Sequence, residues 1–365
     1  MRIGIYSLPF HSNYGGVLQS YALQIVLQKE GHEVFVLNKN WLDYPGKRDK
    51  IEKTLCTLVS FLTFRRLYSK REKKIESIRE LKRFWSTNIN NLVDFREFSQ
   101  IKSLELDAIV VGSDQIWRKG YCLDTRWYFL DFTELWNIKR VAYAASFGVS
   151  DWQFPEDVTN DMKNLAHNFN GISVRESDGI RLCKEYLNVD ATFVLDPTLL
   201  LTSTDYEKFR SHKKDKKNKH LVSFMLHPNV EKQMLVDEIA ASLDAKVINM
   251  DIPLDGGKRD RINYYKSIEQ WLTEFLDADY VLTDSYHGVV FSINFNKPFV
   301  TLGNVQGGQS RFTSLLGLFS LTRRIATDKD SILCILKESI NWSNVNLILE
   351  NKRKKSIEFL SKSIN

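Results

Sequence analysis

The first forty residues alternate between apolar runs and turns, and this alternation constrains the fold more than any other feature. Residues 2–8, RIGIYSL, have the composition of a strand, and the turn HSNYGG follows them. Residues 17–31 carry apolar side chains at a helical period that stops at Gly31. Residues 32–38, HEVFVLN, are typical of a second strand. This order predicts a parallel sheet with helices on both faces.

A second unit of the same kind follows a polar stretch. Residues 211–220, SHKKDKKNKH, contain no apolar side chain, which is typical of a linker or an exposed loop. Beyond it helices are expected at 230–243, 267–277 and 286–296. The sequence predicts an α/β fold of two Rossmann-like domains that face a cleft, with parallel sheets flanked by helices. The expected units are an N-terminal domain at 1–205, a C-terminal domain at 206–330 and a helical segment at 331–365.

The net charge of +6 comes from one segment. Residues 47–83 carry thirteen Lys or Arg and five Asp or Glu, a balance of +8, which leaves about −2 for the rest of the chain. No pattern of interleaved aromatic residues accompanies this charge, so no nucleic-acid partner is expected. We expect a basic helical insertion at about 47–100.

Cysteine usage and apolar runs indicate a cytoplasmic protein. Four scattered cysteines have no paired spacing, so the sequence predicts neither a metal site nor a disulfide framework. The longest uncharged apolar stretch, Leu55 to Phe64, is far shorter than the roughly 20 residues that span a bilayer. The N-terminal MRIGIYSLPF lacks the features of a signal peptide and is expected to be a buried strand.

The stretch TDSYHGVVFSI carries a candidate site at the end of a predicted strand. Ser285, Tyr286, His287 and Gly288 fall in the first turn of the next helix, where unpaired N–H groups and the helix dipole favour an anion. Capping by Asp284 or Ser285 is the structural alternative. Capping leaves the choice of His287 unexplained, and a histidine there suits a phosphate ligand or a general acid.

Two turns of the N-terminal half are further candidates. Asn13, Gly15 and Gly16 permit a tight turn close to a ligand, although no dinucleotide fingerprint is present. Asp114 follows a strong predicted strand and is either a helix cap or a base. With Gln115 and Trp117 it resembles a sugar-binding edge. The sequence leaves open whether the glycine turn only leads into a helix or also contacts a ligand. It also leaves open whether Asp114 is a cap or a base.

Two arginines are candidate anion ligands. Arg175 ends a predicted strand and either forms a weak surface ion pair with Glu176 or presents its guanidinium to a carboxylate or phosphate. Ser310 and Arg311 follow a glycine pair in a loop before an apolar helix. That arrangement suits a second anion clamp.

These turns share one family resemblance. Seven motifs, taken in their order along the chain, resemble the polysaccharide pyruvyl transferases, and the resemblance runs from residue 1 to about 325. The motifs are NYGGVLQSYALQ, VVGSDQIW, YAASFG, SVRE, VLDPTLL, TDSYHGVVFSI and RFTSLLGL. The resemblance implies a shape like that of GT-B glycosyltransferases. It also implies transfer of the enolpyruvyl unit of phosphoenolpyruvate to a sugar as a cyclic ketal, with no cofactor and no metal.

The resemblance also assigns roles to residues. His287 matches the family's histidine and is expected to be the acid, Arg175 matches its anion-binding arginine, and Asp114 is the candidate base. Members often carry an arginine at the position of Ser285, and Arg311 is the candidate replacement for that charge. The expected donor ligands are Arg175, from the N-terminal domain, and Ser285, Tyr286, Gly288, Ser310 and Arg311, from the C-terminal domain. Expected acceptor ligands on the N-terminal side are Asn13, Tyr14, Gly15, Gly16, Gln115 and Trp117.

The implied acceptor is a lipid-linked sugar of a bacterial capsule or exopolysaccharide repeat unit. The basic segment then has two interpretations, peripheral contact with the inner face of the membrane or an insertion packed on the N-terminal domain. Two other functions stay open. One is a GT-B glycosyltransferase that uses a nucleotide sugar, and the other is a non-catalytic sugar-binding protein, which the serine at position 285 favours.

Overall fold

The computed structural model of the chain describes residues 1–10, 12–39, 47–211, 217–252, 260–303 and 309–365. Two parallel sheets flanked by helices form its framework, which confirms the predicted α/β fold. Residues 212–216 of the predicted polar linker lie outside the described residues.

Among the described residues, the N-terminal sheet has seven parallel strands in the order β3-β2-β1-β4-β5-β6-β7. They are β1 (Arg2–Tyr6), β2 (Glu33–Lys39), β3 (Leu92–Phe95), β4 (Ala108–Val111), β5 (Lys139–Ala145), β6 (Gly171–Val174) and β7 (Thr192–Phe193). Alternate residues serve opposite faces, since Ile3 and Ile5 belong to one apolar cluster and Tyr6 to another. Both faces are therefore buried, as a parallel sheet requires.

In the described part of the chain, the C-terminal sheet has four parallel strands in the order β11-β10-β8-β9. They are β8 (Lys219–Phe224), β9 (Ala245–Asn249), β10 (Tyr280–Thr283) and β11 (Phe299–Thr301). The apolar cluster that contains Ile3 continues through Phe224, Trp271 and Val281 of this second domain. One core thus joins the two domains behind the cleft.

The described helices cover both sheets. They are α1 (Tyr14–Lys29), α2 (Lys47–Thr63), α3 (Lys70–Ser77), α4 (Arg79–Asn88), α5 (Ser99–Lys102), α6 (Glu156–Ala166), α7 (Ser177–Leu182), α8 (Ser203–Glu207), α9 (Val230–Leu243), α10 (Ile268–Asp277), α11 (Tyr286–Asn294), α12 (Gln309–Leu318), α13 (Lys329–Lys337) and α14 (Trp342–Ile364). None of these helices combines the length and the apolar composition needed to cross a bilayer.

The last helix returns to the first domain. On α14, Ser356 accepts a hydrogen bond from the backbone N–H of Leu195 over 3.0 Å, and Nε of Arg353 donates to the carbonyl of Leu199 over 2.8 Å. The chain therefore ends against the N-terminal domain after it has built the C-terminal one.

Strand β7 stops at Phe193, and Asp196 then caps a short 3₁₀ turn. The basic insertion forms α2, α3 and α4, and it also contacts the C-terminal domain. Nη2 of Arg83 on α4 lies 2.9 Å from both carboxylate oxygens of Glu269 on α10.

Candidate active site

A cavity of about 250 Å³ lies between the two domains, at the carboxyl ends of the parallel strands. Both domains contribute to its wall, which is the usual position of a ligand site in such folds. The sequence-predicted residues that line it are Asn13, Asp114, Gln115, Ser285, Tyr286, His287 and Arg311.

The start of α11 forms one wall of the cavity. Ser285 is the N-cap, and its hydroxyl accepts a hydrogen bond from the N–H of Gly288 over 3.4 Å. Asp284 does not cap this helix. Its carboxylate accepts from the N–H of Leu226 and from Nζ of Lys232, each over 2.6 Å, and so ties the loop after β8 to the cavity.

His287 meets the start of α1 across the cleft. A Cβ placed on Gly15 would lie 2.0 Å from Nδ1 of His287, so only glycine allows this approach. Asn13 caps α1 and accepts hydrogen bonds from the N–H groups of Gly15 and Gly16. Gly15 was expected to contact the acceptor. Its observed role is to leave room for the imidazole of His287.

Arg175 differs from its expected role. It is 1% exposed, and its guanidinium is divided between two protein carboxylates. Nη1 donates to Asp196 over 2.6 Å, and Nη2 donates to Asp114 over 2.9 Å. Because both Nη atoms of Arg175 bind protein carboxylates, its guanidinium does not face the expected donor substrate. We therefore describe Arg175 as a positioning residue.

Asp196 is a residue that sequence reasoning missed. The folded chain brings its carboxylate beside Arg175 and 3.8 Å from Nε2 of His287. Oδ2 also accepts from Gln19 over 2.6 Å, and Oδ1 accepts from Thr198 over 2.7 Å. Burial raises the pKa of Asp196, but Arg175 and the hydrogen bonds from Thr198 outweigh it and hold the pKa below its ordinary value. The sequence signal for this residue was an aspartate directly before Pro197 in the VLDPTLL motif.

The surroundings of His287 oppose its ionisation. Burial, together with the nearby Arg175 and Arg311, lowers the pKa of His287 from 6.5 to about 4, although Asp196 opposes this. The imidazole is therefore neutral at neutral pH. Its Nε2 is buried and has no hydrogen-bond partner among the described residues.

Glu176 is part of the site's buried layer. It is fully buried, and its Oε1 accepts from the N–H of Phe147 over 2.8 Å. Burial raises the pKa of Glu176 above its ordinary value, against the effect of Arg175 and Arg311. The exposed ion pair considered for Arg175 and Glu176 is therefore wrong, since both side chains are buried.

Arg311 provides a cation at the cavity wall. The ring of Tyr286 lies 5.5 Å from its guanidinium carbon and 4.8 Å from that of Arg175. Burial and the charge of Arg175 lower the pKa of Arg311. Within the described chain, Nε of Arg311 is buried without a hydrogen-bond partner. The structure thus gathers Arg175, Arg311 and His287 around one ring.

Asp114 sits in a strained turn after β4. Its φ of +72° lies in the left-handed region, which is uncommon for residues other than glycine. The turn begins at Gly112, where a Cβ would lie 2.1 Å from the carbonyl oxygen of Tyr143. The carboxylate is thereby aimed at Arg175 and the cavity, and it does not cap a helix.

The expected sugar-binding edge is only partly present. Trp117 is fully buried, stacks on Phe129 at 4.7 Å and donates its indole N–H to the carbonyl of Tyr128. Its ring face cannot meet a sugar. Gln115 does line the cavity, and it accepts from Arg118 over 2.6 Å. Arg118 is a second cavity cation that the sequence reasoning missed.

Two further predicted ligands hold the domains together instead. Tyr14 stacks on Trp271 at 5.5 Å and donates its hydroxyl to the carbonyl of Lys266, which buries it in the interdomain core. Ser310 donates its hydroxyl to the carboxylate of Asp178 on the N-terminal domain. Neither residue lines the cavity.

The fold resembles that of solved enzymes that bind sugar nucleotides. UDP-GlcNAc 2-epimerase from Neisseria meningitidis, bound to UDP-GlcNAc, has a TM-score of 0.56 at 12% identity, over 99% of this chain and 100% of that chain. Arabidopsis thaliana UGT89C1, complexed with UDP-L-rhamnose, has a TM-score of 0.52 at 11% identity, over 99% and 98%. UDP-GlcNAc 2-epimerase from Methanocaldococcus jannaschii has a TM-score of 0.51 at 14% identity, over 94% and 95%. These likenesses show a GT-B-like fold.

Sequence comparison defines the family. A comparison with curated proteins gives no match. The family model of the polysaccharide pyruvyl transferases matches residues 13–305, which is most of the chain and includes the cavity residues from Asn13 to His287. The chain therefore belongs to the polysaccharide pyruvyl transferase family of transferases.

Proposed function

We propose that this protein transfers the enolpyruvyl group of phosphoenolpyruvate to a sugar and forms a pyruvate ketal. One observation carries the proposal. Arg311 and His287 line the same cavity at the start of α11, and each has a buried nitrogen without a hydrogen-bond partner among the described residues. A buried polar nitrogen without a partner needs an explanation, and a ligand in the cavity that hydrogen-bonds to both groups supplies one.

The charge of the cavity suits a small anion. Arg311, Arg118 and the N-terminus of α11 face it, whereas Asp284 is paired with Lys232 and Asp114 with Arg175. The hydroxyl of Ser285 is occupied as the helix cap. Arg311 therefore supplies the positive charge that an arginine at position 285 would have brought.

The size of the cavity supports a compact donor. At about 250 Å³ it lies just below the range of about 300–1,000 Å³ that is usual for sites of larger ligands. Phosphoenolpyruvate carries a phosphate and a carboxylate on three carbons, which concentrates charge in a small volume.

Four bond changes complete the proposed reaction. Protonated His287 gives its proton to C3 of the enolpyruvyl group, and a sugar hydroxyl bonds to C2 while its proton passes to Asp114. The bond between C2 and the phosphate oxygen then breaks, and inorganic phosphate leaves with the electron pair. A neighbouring hydroxyl bonds to C2 and gives its proton to the now neutral His287, which closes the ketal, while the proton held by Asp114 passes to the phosphate. Arg311 stabilises the charge on the departing phosphate.

Donor binding also explains how His287 becomes protonated before it acts as an acid. Burial and the two arginines hold the pKa of His287 at about 4 and disfavour the imidazolium. A bound trianion opposes both arginines and raises that pKa, so proton uptake accompanies donor binding. His287 is then charged only when its substrate is present.

The acceptor belongs at the N-terminal wall of the cavity. Asn13 and Gln115 offer amide groups there, which suit sugar hydroxyls. We propose a lipid-linked sugar of a capsule or exopolysaccharide repeat unit as the acceptor, and a cytoplasmic site of action.

A turnover assay tests the proposal. Purified protein is incubated with phosphoenolpyruvate and a panel of lipid-linked sugars, and phosphate release is followed together with the mass gain of one pyruvyl group. We expect both products in equal amounts, and a loss of about 10²–10⁴-fold for His287→Asn. The exposed His167→Asn is the matched control and should retain activity.

Two results would overturn the proposal. Protection from thermal unfolding by a uridine or guanosine nucleotide, with none by phosphoenolpyruvate, would indicate a nucleotide-sugar glycosyltransferase. Sugar binding that His287→Asn leaves intact, without turnover on any acceptor, would indicate a binding protein.

A further inference from the structure

Helix α2 exposes its apolar side chains to solvent, whereas a helix of a globular protein normally buries them. Ile51, Leu55, Leu58 and Leu62 recur at intervals of four, three and four residues, and they are 60%, 53%, 56% and 66% exposed. At about 100° per residue, these positions fall within about 60° of one another on the helix. Together with Phe61 and Phe64, which follow beside them, they form what we call the α2 surface.

The opposite side of α2 faces the protein. Cys56 is 2% exposed, and the hydroxyl of Ser60 accepts a hydrogen bond from the N–H of Leu67 over 2.8 Å. Lys53 reaches Glu72 of α3 at 3.4 Å. A globular helix normally buries its apolar stripe and exposes its polar one. Here the polar stripe is the anchored side, so folding alone does not explain the α2 surface.

Basic side chains border the α2 surface. Arg48 and Lys50 are exposed on the first turn, and Arg65 and Arg66 are exposed just after Phe64, which is 97% exposed. The whole segment at 47–83 has a charge balance of +8. An apolar face bordered by cations is typical of helices that lie in the interface of an anionic bilayer.

We propose that the α2 surface docks this protein on an anionic lipid bilayer. The apolar side chains enter the boundary between headgroups and acyl chains, and the arginines meet lipid phosphates. The helix lies on the membrane and does not cross it, since α2 has too few apolar residues to span one.

A bilayer fits this surface better than a second copy of the chain. A two-fold dimer through α2 would bring two segments of +8 against each other, and like charges at close range repel. Anionic headgroups offset that charge. The insertion is also braced to the C-terminal domain through Arg83 and Glu269, so docking fixes both domains relative to the membrane.

Vesicle cosedimentation of the full chain tests this inference. We expect binding to vesicles of equal parts phosphatidylglycerol and phosphatidylcholine, and little binding to phosphatidylcholine alone. Leu58→Ser/Phe61→Ser removes apolar contacts, and Arg65→Glu/Arg66→Glu reverses two charges. Each double variant should weaken the partition coefficient by roughly tenfold or more. High salt should weaken wild-type binding as well.

Matched controls separate the α2 surface from general stickiness. Leu135→Ser/Leu347→Ser changes two exposed leucines elsewhere, and Lys354→Glu/Lys355→Glu reverses two exposed charges on α14. Both should bind vesicles as the wild type does. Unchanged circular dichroism should show that all four variants fold.

Three results would overturn the inference. They are absence of binding to anionic vesicles, equal losses in the α2 variants and their controls, and equal binding to vesicles without anionic lipid. Self-association that depends on the α2 surface, detected by light scattering without vesicle binding, would assign that surface to a second copy. The assay involves no turnover, so its failure leaves the proposed reaction standing.

Discussion

The cleft and the α2 surface depart from the usual distribution of side chains in different ways. The cleft buries charged groups, whereas the α2 surface exposes apolar ones. In the cleft, Arg175, Glu176 and Asp196 are charged groups that are at most 1% exposed. On α2, Phe61 and Leu62 are apolar groups that are 79% and 66% exposed. Burying charge and exposing apolar surface both cost folding free energy. The contrast fits a binding role for each region, and the ligands that we propose are a small anion in the cleft and a bilayer at the α2 surface.

The largest expected effect concerns the charge buried in the cleft. Arg175→Met leaves Asp114 and Asp196 without their shared cation in a buried position. We expect the free energy of unfolding to fall by about 3–5 kcal/mol, measured by urea denaturation. Arg66→Met, on the exposed basic rim of α2, should change it by less than about 1 kcal/mol. Equal effects of the two variants would break the comparison.

The second prediction concerns pH. The folded pKa of His287 is about 4 and its ordinary value is 6.5, so the unfolded chain takes up this proton first as pH falls. The stability from neutral His287 is fully present above about pH 6.5 and is lost progressively down to about pH 4. The loss amounts to about 3 kcal/mol. Urea denaturation across this range should show a shallower fall in His287→Asn, and identical slopes would contradict the prediction.

The third prediction concerns the approach of His287 to α1. Gly15→Ala places a methyl group 2.0 Å from the present position of Nδ1, which forces the imidazole to move. We expect a loss of about 1–3 kcal/mol in unfolding free energy and a marked loss of turnover. Gly317→Ala is the matched control, because a Cβ at Gly317 on α12 meets no atom within 4 Å. Normal turnover in Gly15→Ala would show that the ring position is not critical.

The smallest effect is expected on α2. Because Phe61 is 79% exposed, Phe61→Ser should change the unfolding free energy by no more than about 0.5 kcal/mol. This residue would then be retained for binding and not for folding. A loss above about 1.5 kcal/mol would mean that Phe61 packs within the protein, and the contrast between the two regions would weaken.

Local pattern was sufficient for much of the framework. The helix predicted at 230–243 is α9, Val230–Leu243, and the helix expected at 286–296 begins at Tyr286 as α11. The strand before α11 ends at Thr283, as the break in the apolar run indicates. Such elements are specified by periodicity, caps and turn residues within a few positions of each other.

The site needed contacts between distant residues. Arg175 and Asp196 are 21 positions apart, and Gln19 lies 177 positions from Asp196, so no local pattern announces their network. Trp117 follows a promising turn, but only the packing of Phe129 decides that its ring is buried. The lowered pKa of His287 likewise depends on burial that its first-turn position does not reveal.

The central claim is that the cleft holds phosphoenolpyruvate through Arg311 beside His287, and titration calorimetry tests it most directly. We predict that phosphoenolpyruvate binds the wild type with proton uptake, detected by comparing buffers of different ionisation enthalpy. Arg311→Met should bind it about 10- to 100-fold more weakly. Equal affinity of the two proteins for phosphoenolpyruvate, or binding of a uridine nucleotide in its place, would contradict the account.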